Sequence, residues 1–215
     1  MKGILITFEG IEGSGKSTLI TLVADALIKK GLDTAITREP GGTDLGVSLR
    51  KILLDPEGAA ISPMAELLLY AADRAQHLND LIEPALKERK IVLCDRFSDA
   101  TEAYQGSGRG LSMDMVRAVD ECARGGLSPD LTVLLDLPPE VGLARARKRN
   151  LNGYTSEETR FDDEELAFHE RVREGYLAIS GREPERFLIL DGMASPGDLA
   201  LKVMEELENR FGPLK

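Results

Sequence analysis

Short apolar runs alternate along this chain with longer stretches whose apolar residues recur every three to four positions. Ile4 to Phe8 predicts a first strand, and Leu19, Leu22, Val23, Ala26 and Leu27 then follow at helical spacing. Gly31 stands where that helix should end. Thr34 to Thr37, Ile91 to Cys94, Leu131 to Leu135 and Phe187 to Leu190 predict four more strands. Helical patterns cover 43–54, 63–89, 112–124, 138–149, 163–180 and 196–210. Strand and helix in alternation predict an α/β fold, a parallel sheet with helices on both faces. One segment breaks the rhythm. Asn150 to Ser156 is polar, contains Gly153 and follows the basic cluster Arg145, Arg147, Lys148 and Arg149. It reads as a mobile loop, part of a lid over residues 145–160.

Composition narrows the function classes. A chain of 215 residues fits a single domain with one core. Its formal net charge of -10, with no long basic run, lacks the positive footprint that nucleic-acid binding requires. The N-terminus runs straight into a strand, with no apolar stretch long enough for a signal peptide or a membrane span. A cytoplasmic protein is expected. The two cysteines are Cys94, inside an apolar run that predicts a core thiol, and Cys122. Neither His77 nor His169 has a metal-ligand or nucleophilic constellation around it in sequence, so both are expected to be structural or surface residues.

The sharpest chemical signal is Gly10-Ile11-Glu12-Gly13-Ser14-Gly15-Lys16-Ser17, which matches G-x-x-x-x-G-K-[ST] between a predicted strand and a predicted helix. Such a loop turns successive backbone N–H groups around phosphate oxygens, and the helix N-terminus adds its dipole. Lys16 is placed to reach the β- and γ-phosphates of ATP, and the Ser17 hydroxyl to bind Mg²⁺. Thr18, next along, joins the nucleotide-binding set. The motif specifies a nucleoside triphosphate but not a reaction, since switch GTPases, ATPases and small-molecule kinases share it. A guanine-reading N-K-x-D motif does not occur in the chain.

The remaining motifs resemble those of bacterial thymidylate kinases, nearly end to end. They are Phe8-Glu9-Gly10-Ile11-Glu12-Gly13, Arg38-Glu39-Pro40-Gly41-Gly42-Thr43, Leu69-Tyr70-Ala71-Ala72-Asp73-Arg74-Ala75-Gln76-His77, Asp95-Arg96-Phe97 and Tyr104-Gln105-Gly106-Ser107-Gly108-Arg109-Gly110. The resemblance implies a P-loop fold with a five-stranded parallel sheet and a lid. It implies transfer of the γ-phosphoryl of ATP to dTMP with Mg²⁺, giving dTDP for dTTP synthesis, by a homodimer paired through helices such as the 63–89 stretch. It also implies a cis peptide bond before Pro40, a contact from Glu12 to the dTMP sugar 3′-OH or to a metal-bound water, and Tyr104 beneath the deoxyribose, where a 2′-hydroxyl would clash. The rivals are another P-loop nucleoside or nucleotide kinase and a non-kinase P-loop NTPase.

The residues also support roles of their own. Asp95 and Arg96 close a predicted strand at its carboxyl end, where open α/β sheets bind ligands. The planar fork of Arg96 suits an acceptor phosphate, and Asp95 could hold Mg²⁺ through water or orient Arg96. Arg38 reads either as a ligand or as a strand-end charge. Tyr70 and Arg74, four apart, share a helix face. The ring can stack on a base, and the guanidinium can donate to a carbonyl such as thymine O4. Thr101 and Gln105 are candidate polar contacts to the base. Many eukaryotic members of the family carry an arginine where this chain has Gly13, so another cation must serve the transferring phosphoryl. Arg149 is the first choice, with Arg145, Arg147 and Arg160 behind it.

Overall fold

The computed structural model describes residues 3–151, 161 and 164–213, with the side chains of 149–151 not included. The five strands are β1 (Ile4–Glu9), β2 (Thr34–Arg38), β3 (Ile91–Asp95), β4 (Leu131–Asp136) and β5 (Phe187–Asp191). All pair in parallel, in the order β2-β3-β1-β4-β5. Each strand predicted from the apolar runs is present, extended by one residue at its carboxyl end. The extra residues Glu9, Arg38, Asp95, Asp136 and Asp191 are all of ionisable type. They mark the edge where the sheet opens to solvent and ligand.

Nine α-helical segments complete the described residues: α1 (Lys16–Lys29), α2 (Asp44–Leu54), α3 (Pro63–His77), α4 (Glu83–Lys87), α5 (Ser98–Thr101), α6 (Met113–Arg124), α7 (Pro139–Leu151), α8 (Leu166–Arg182) and α9 (Pro196–Phe211). Local chemistry sets several of their ends. Ser62 accepts from the Ala65 amide at 3.4 Å and Pro63 occupies the first turn of α3. Ser195 and Pro196 repeat the device at α9, and Thr43 caps α2 through Gly46 at 3.0 Å. Gly31, at φ 77°, turns the chain out of α1 as expected.

The single helix expected over 63–89 is not uniform. Leu78–Ile82 forms a π-helical turn between α3 and α4. Pro84 has no N–H to give, and the wider turn accommodates the missing bond. A second π-helical turn, Glu102–Gly108, follows α5, and the sequence pattern did not announce either of them.

The sheet divides the core. One face packs Ile4, Ile6, Phe8, Leu131 and Val133 against Leu19, Val23 and Leu27 of α1 and Leu199, Val203 and Leu207 of α9. The other face presents Leu5, Val92 and Cys94 to Leu78, Ile82 and Phe97. Leu134 and Phe187 extend that face, against Tyr104, Val172, Tyr176 and Ile179. Burying a Leu-sized side chain stabilises by roughly 1.5–3 kcal/mol, so both layers are needed to hold the strand ends in place. Cys94 is the core thiol expected, donating to the Arg96 carbonyl at 3.0 Å, while Cys122 is exposed. Among the described residues no helix is long and apolar enough to cross a membrane.

Candidate active site

The P-loop joins β1 to α1. Gly15 adopts φ 97° as the residue that opens α1, a conformation that disfavours a side chain. Gly13, at φ 69°, is pressed against α7: a Cβ there would overlap the carbonyl oxygen of Gly142. Lys16 is buried, and its Nζ donates to Gly10 O at 2.8 Å, Ile11 O at 3.1 Å and Ser14 Oγ at 3.3 Å. Burial first, and then the positive Arg96 nearby, lower its pKa from 10.5 to about 8. Ser17 Oγ donates to Asp95 Oδ2 at 3.0 Å, so the two oxygens expected at a Mg²⁺ stand together. Both are hard oxygen donors of the kind that Mg²⁺ takes. Among the described residues no group of three or more His, Cys, Asp or Glu could hold a metal. A Mg²⁺ here would take its other ligands from phosphates and water.

β1 and β3 are neighbours in register, Phe8 opposite Asp95, and this brings Arg96 over the P-loop. Arg96 has φ 68°, a left-handed backbone rare for a side chain of this size, and its amide donates to Phe8 O at 3.0 Å. Its guanidinium donates to Glu12 Oε1 at 2.9 Å and to Tyr176 Oη at 3.2 Å, and lies 4.7 Å from the centre of the Tyr104 ring. Tyr104 donates to the same Glu12 oxygen at 2.7 Å. Burial would raise the Glu12 pKa, but Arg96, His169, Lys16 and Tyr104 together hold it well below the usual carboxylate range. Glu9 lies behind this group, accepting from the Phe97 amide at 2.7 Å and from Tyr176 Oη at 2.7 Å. Burial, with Asp99 adding to it, pushes Glu9 up to about 8.

On the far side stand the base-reading candidates. Tyr70 is half-buried and lines the cleft. Arg74 is only 1% exposed and sits in a cage. Its Nε donates to Glu39 Oε2 at 2.9 Å, Nη1 to Asp120 Oδ1 at 2.5 Å, and Nη2 to Phe97 O at 3.0 Å and Thr101 Oγ1 at 2.8 Å. Gln105 is buried and donates to Glu66 Oε1 at 2.7 Å. The Glu39–Pro40 bond is cis, as the family resemblance implied.

These parts share one cleft of about 450 Å³, lined by Gly13, Lys16, Ser17 and Thr18, by Asp95 and Arg96, and by Pro40, Tyr70, Arg74, Thr101, Tyr104 and Gln105. Arg145 also reaches it, with Nη1 donating to Gly192 O at 3.0 Å. Arg147 is exposed. The side chain of Arg149, the rest of the expected lid and Arg160 lie outside the described residues. His77 and His169 are both fully buried, the first bonded to Glu39 and the second with Nδ1 3.3 Å from Glu12 Oε2. Arg50 and Phe161 line the cleft as well, and neither belongs to a motif in the sequence. The Phe161 ring meets Tyr104 edge-on at 5.4 Å. An aromatic residue standing alone beyond a polar, Gly-containing loop was the available signal for it.

A family model described as "Thymidylate kinase" matches residues 8–202. The chain is 52% identical over 206 residues to the thymidylate kinase of Desulfosudis oleivorans, covering 95% of this chain and 96% of that one. It is 51% identical over 208 residues to the thymidylate kinase of Trichlorobacter lovleyi, covering 97% and 98%. Among solved structures, the thymidylate kinase of Ehrlichia chaffeensis superposes with a TM-score of 0.77 at 30% identity, covering 97% of this chain and 100% of that one. The chain therefore belongs to the thymidylate kinase family and is a kinase, an ATP-dependent phosphotransferase.

Proposed function

We propose that the chain transfers the γ-phosphoryl of ATP to the 5′-phosphate of dTMP, giving dTDP and ADP. The observation that carries this reading is that the phosphate cradle and the Tyr70–Arg74–Tyr104 wall open into one cleft, with Arg96 between them. The P-loop amides and Lys16 hold the triphosphate. Arg96 faces the acceptor phosphate, anchored by Glu12 and Tyr176 so that its fork is aimed before substrate arrives. Tyr70 stacks on the base and Arg74 donates to thymine O4. The acceptor oxygen is already anionic, so transfer needs positioning and charge neutralisation rather than a general base. Mg²⁺ held by Ser17 and Asp95 would neutralise phosphate charge when bound. Arg149 supplies the cation that Gly13 cannot.

A second copy of the chain is the proposed partner, in the cytoplasm where its nucleotide substrates are. Support comes from Ile52 on α2, Leu68 on α3 and Met115 on α6, large apolar side chains exposed on three helices packed side by side. A coupled assay of ADP release across dTMP, dUMP, dCMP, dGMP and ribo-TMP tests the acceptor. A preference for any other monophosphate overturns it.

A further inference from the structure

Behind Arg74 lies a chain of buried hydrogen bonds that never touches the cleft at its far end. Thr37 Oγ1 and His77 Nε2 are 2.6 Å apart, and His77 Nδ1 and Glu39 Oε1 are 3.0 Å apart. The second Glu39 oxygen takes Arg74 Nε at 2.9 Å. His77 is 0% exposed, Glu39 4% and Thr37 8%. A carboxylate faces Nδ1, so Nδ1 carries a hydrogen, and Nε2 is bonded to the Thr37 hydroxyl. Three elements are tied together in this way: β2 through Thr37, the Glu39–Gly42 turn, and α3 through His77 and Arg74. The turn is shaped to admit the ring, since a Cβ on Gly42 would overlap His77 Nε2.

Arg74 shows what this arrangement achieves. Among the described residues, four of its five N–H groups are taken, leaving one hydrogen on Nη1. A guanidinium with one donor remaining reads a base only if its plane is fixed, because a small rotation aims that donor elsewhere. Asp120 and Thr101 hold the far end of the fork, and Glu39 holds the Nε edge. Glu39 in turn has its rotamer set by His77.

We propose that Thr37, His77 and Glu39 form a positioning relay that sets the aim of Arg74 and so the discrimination between a base carrying a 4-carbonyl and one carrying a 4-amino group. This rests on the reading of Arg74 as the donor to thymine O4. A 4-amino group presents hydrogens to the same point and is refused by an aimed N–H; a loosened guanidinium refuses it less well.

The test measures kcat/KM for dTMP and dCMP, KM for ATP and thermal stability on the full chain and on Arg74→Lys, His77→Leu, His77→Asn and Thr37→Val. His77→Leu should lower the dTMP-to-dCMP ratio roughly ten- to a hundredfold, as expected for a misaimed group, with KM for ATP unchanged. Asn places an N–H where Nδ1 stood, so His77→Asn should recover most of the ratio. Thr37→Val removes one hydrogen bond at constant shape and should lower the ratio about two- to tenfold. It carries the test if His77→Leu does not fold. A merely structural role would lower stability and leave the ratio at the wild-type value in every folded His77 and Thr37 variant, and that result overturns the relay. If Arg74→Lys also leaves the ratio unchanged, the base-reading role of Arg74 falls with it. If Arg74→Lys alone lowers the ratio, Arg74 keeps its role and only the relay is rejected.

Discussion

Tyr104 donates its phenol hydrogen to Glu12 across 2.7 Å, which fastens one wall of the cleft to the phosphate loop. The same carboxylate oxygen takes Arg96 at 2.9 Å, so ring and guanidinium share one anchor. The ring is 4% exposed and backed by Phe161, Phe168 and Tyr176. An obstruction this firmly supported can exclude a hydroxyl group. Tyr104→Ala should narrow the kcat/KM gap between dTMP and ribo-TMP at least severalfold. Tyr104→Phe keeps the bulk, so it should leave that gap in place while lowering turnover with both substrates. Steady-state kinetics with the two acceptors decide the matter, and an unchanged gap in the alanine variant would move the 2′-hydroxyl away from this ring.

Lys16 gives its hydrogens to loop oxygens at 2.8–3.3 Å, close to where the triphosphate must lie. Lys16→Ala should reduce kcat by roughly a hundredfold or more, since it removes a charge that acts on the transferring phosphoryl. The circular dichroism spectrum should stay the same. A purified variant with near-wild-type turnover would reject the role.

The depressed Lys16 pKa has a calorimetric consequence. Its folded pKa, about 8, lies below the ordinary 10.5, so between those values the folded chain binds fewer protons than the unfolded one. By linkage, this group makes the ligand-free protein gain stability as pH rises through that window. An arriving triphosphate favours the ammonium and should draw a proton from solution. It does the same to any ionised Glu9, whose pKa is raised to about 8. ATP titrations at pH 8 in buffers of different ionisation enthalpy should therefore show net proton uptake, falling towards zero at pH 6.5. Uptake that is equal at both pH values would contradict this assignment.

Arg145 and Arg149 should separate kinetically. Arg145 is held against the Gly192 carbonyl at 3.0 Å beside the cleft, which suits a ground-state contact with the nucleotide. Its alanine variant should raise KM for ATP with kcat nearly intact. Arg149→Ala should instead lower kcat, by about 10³-fold or more if it acts as arginine fingers do elsewhere. An unchanged kcat transfers the role to Arg147 or Arg160, which are the next variants to make.

Most of the framework was readable because its signals are local. Strand runs such as Ile91 to Cys94 are apolar throughout, and parallel strands buried on both faces must be. The P-loop is contiguous, so its spacing alone locates Lys16 and Ser17. The meeting of Ser17 with Asp95, 78 positions apart, depends on β1 and β3 being neighbours, which no local pattern states. The helical segment 98–108 has no local signature for a related reason. Its glycines Gly106 and Gly108 weaken any helical signal, yet they lie against Met113 and Phe168, where side chains would collide. Arg74 stands at a local spacing from Tyr70 that places both on one helix face. Its cage, with Glu39 and Asp120 respectively 35 and 46 positions away, exists only once β2, α3 and α6 are assembled.

Gly13 and Gly142 face each other where the P-loop meets α7, and neither has room for a side chain: a Cβ on Gly142 would strike the Glu12 carbonyl just as one on Gly13 strikes Gly142. This mutual fit constrains the evolutionary routes open to the chain. A lineage that moved its catalytic cation into the loop could not begin with Gly13→Arg, because that step would prise α7 from the loop before the new charge could be of use. A shift of α7 would have to make room for it. The two glycines thus act as a ratchet, and they bind the chain to whichever cation it already uses.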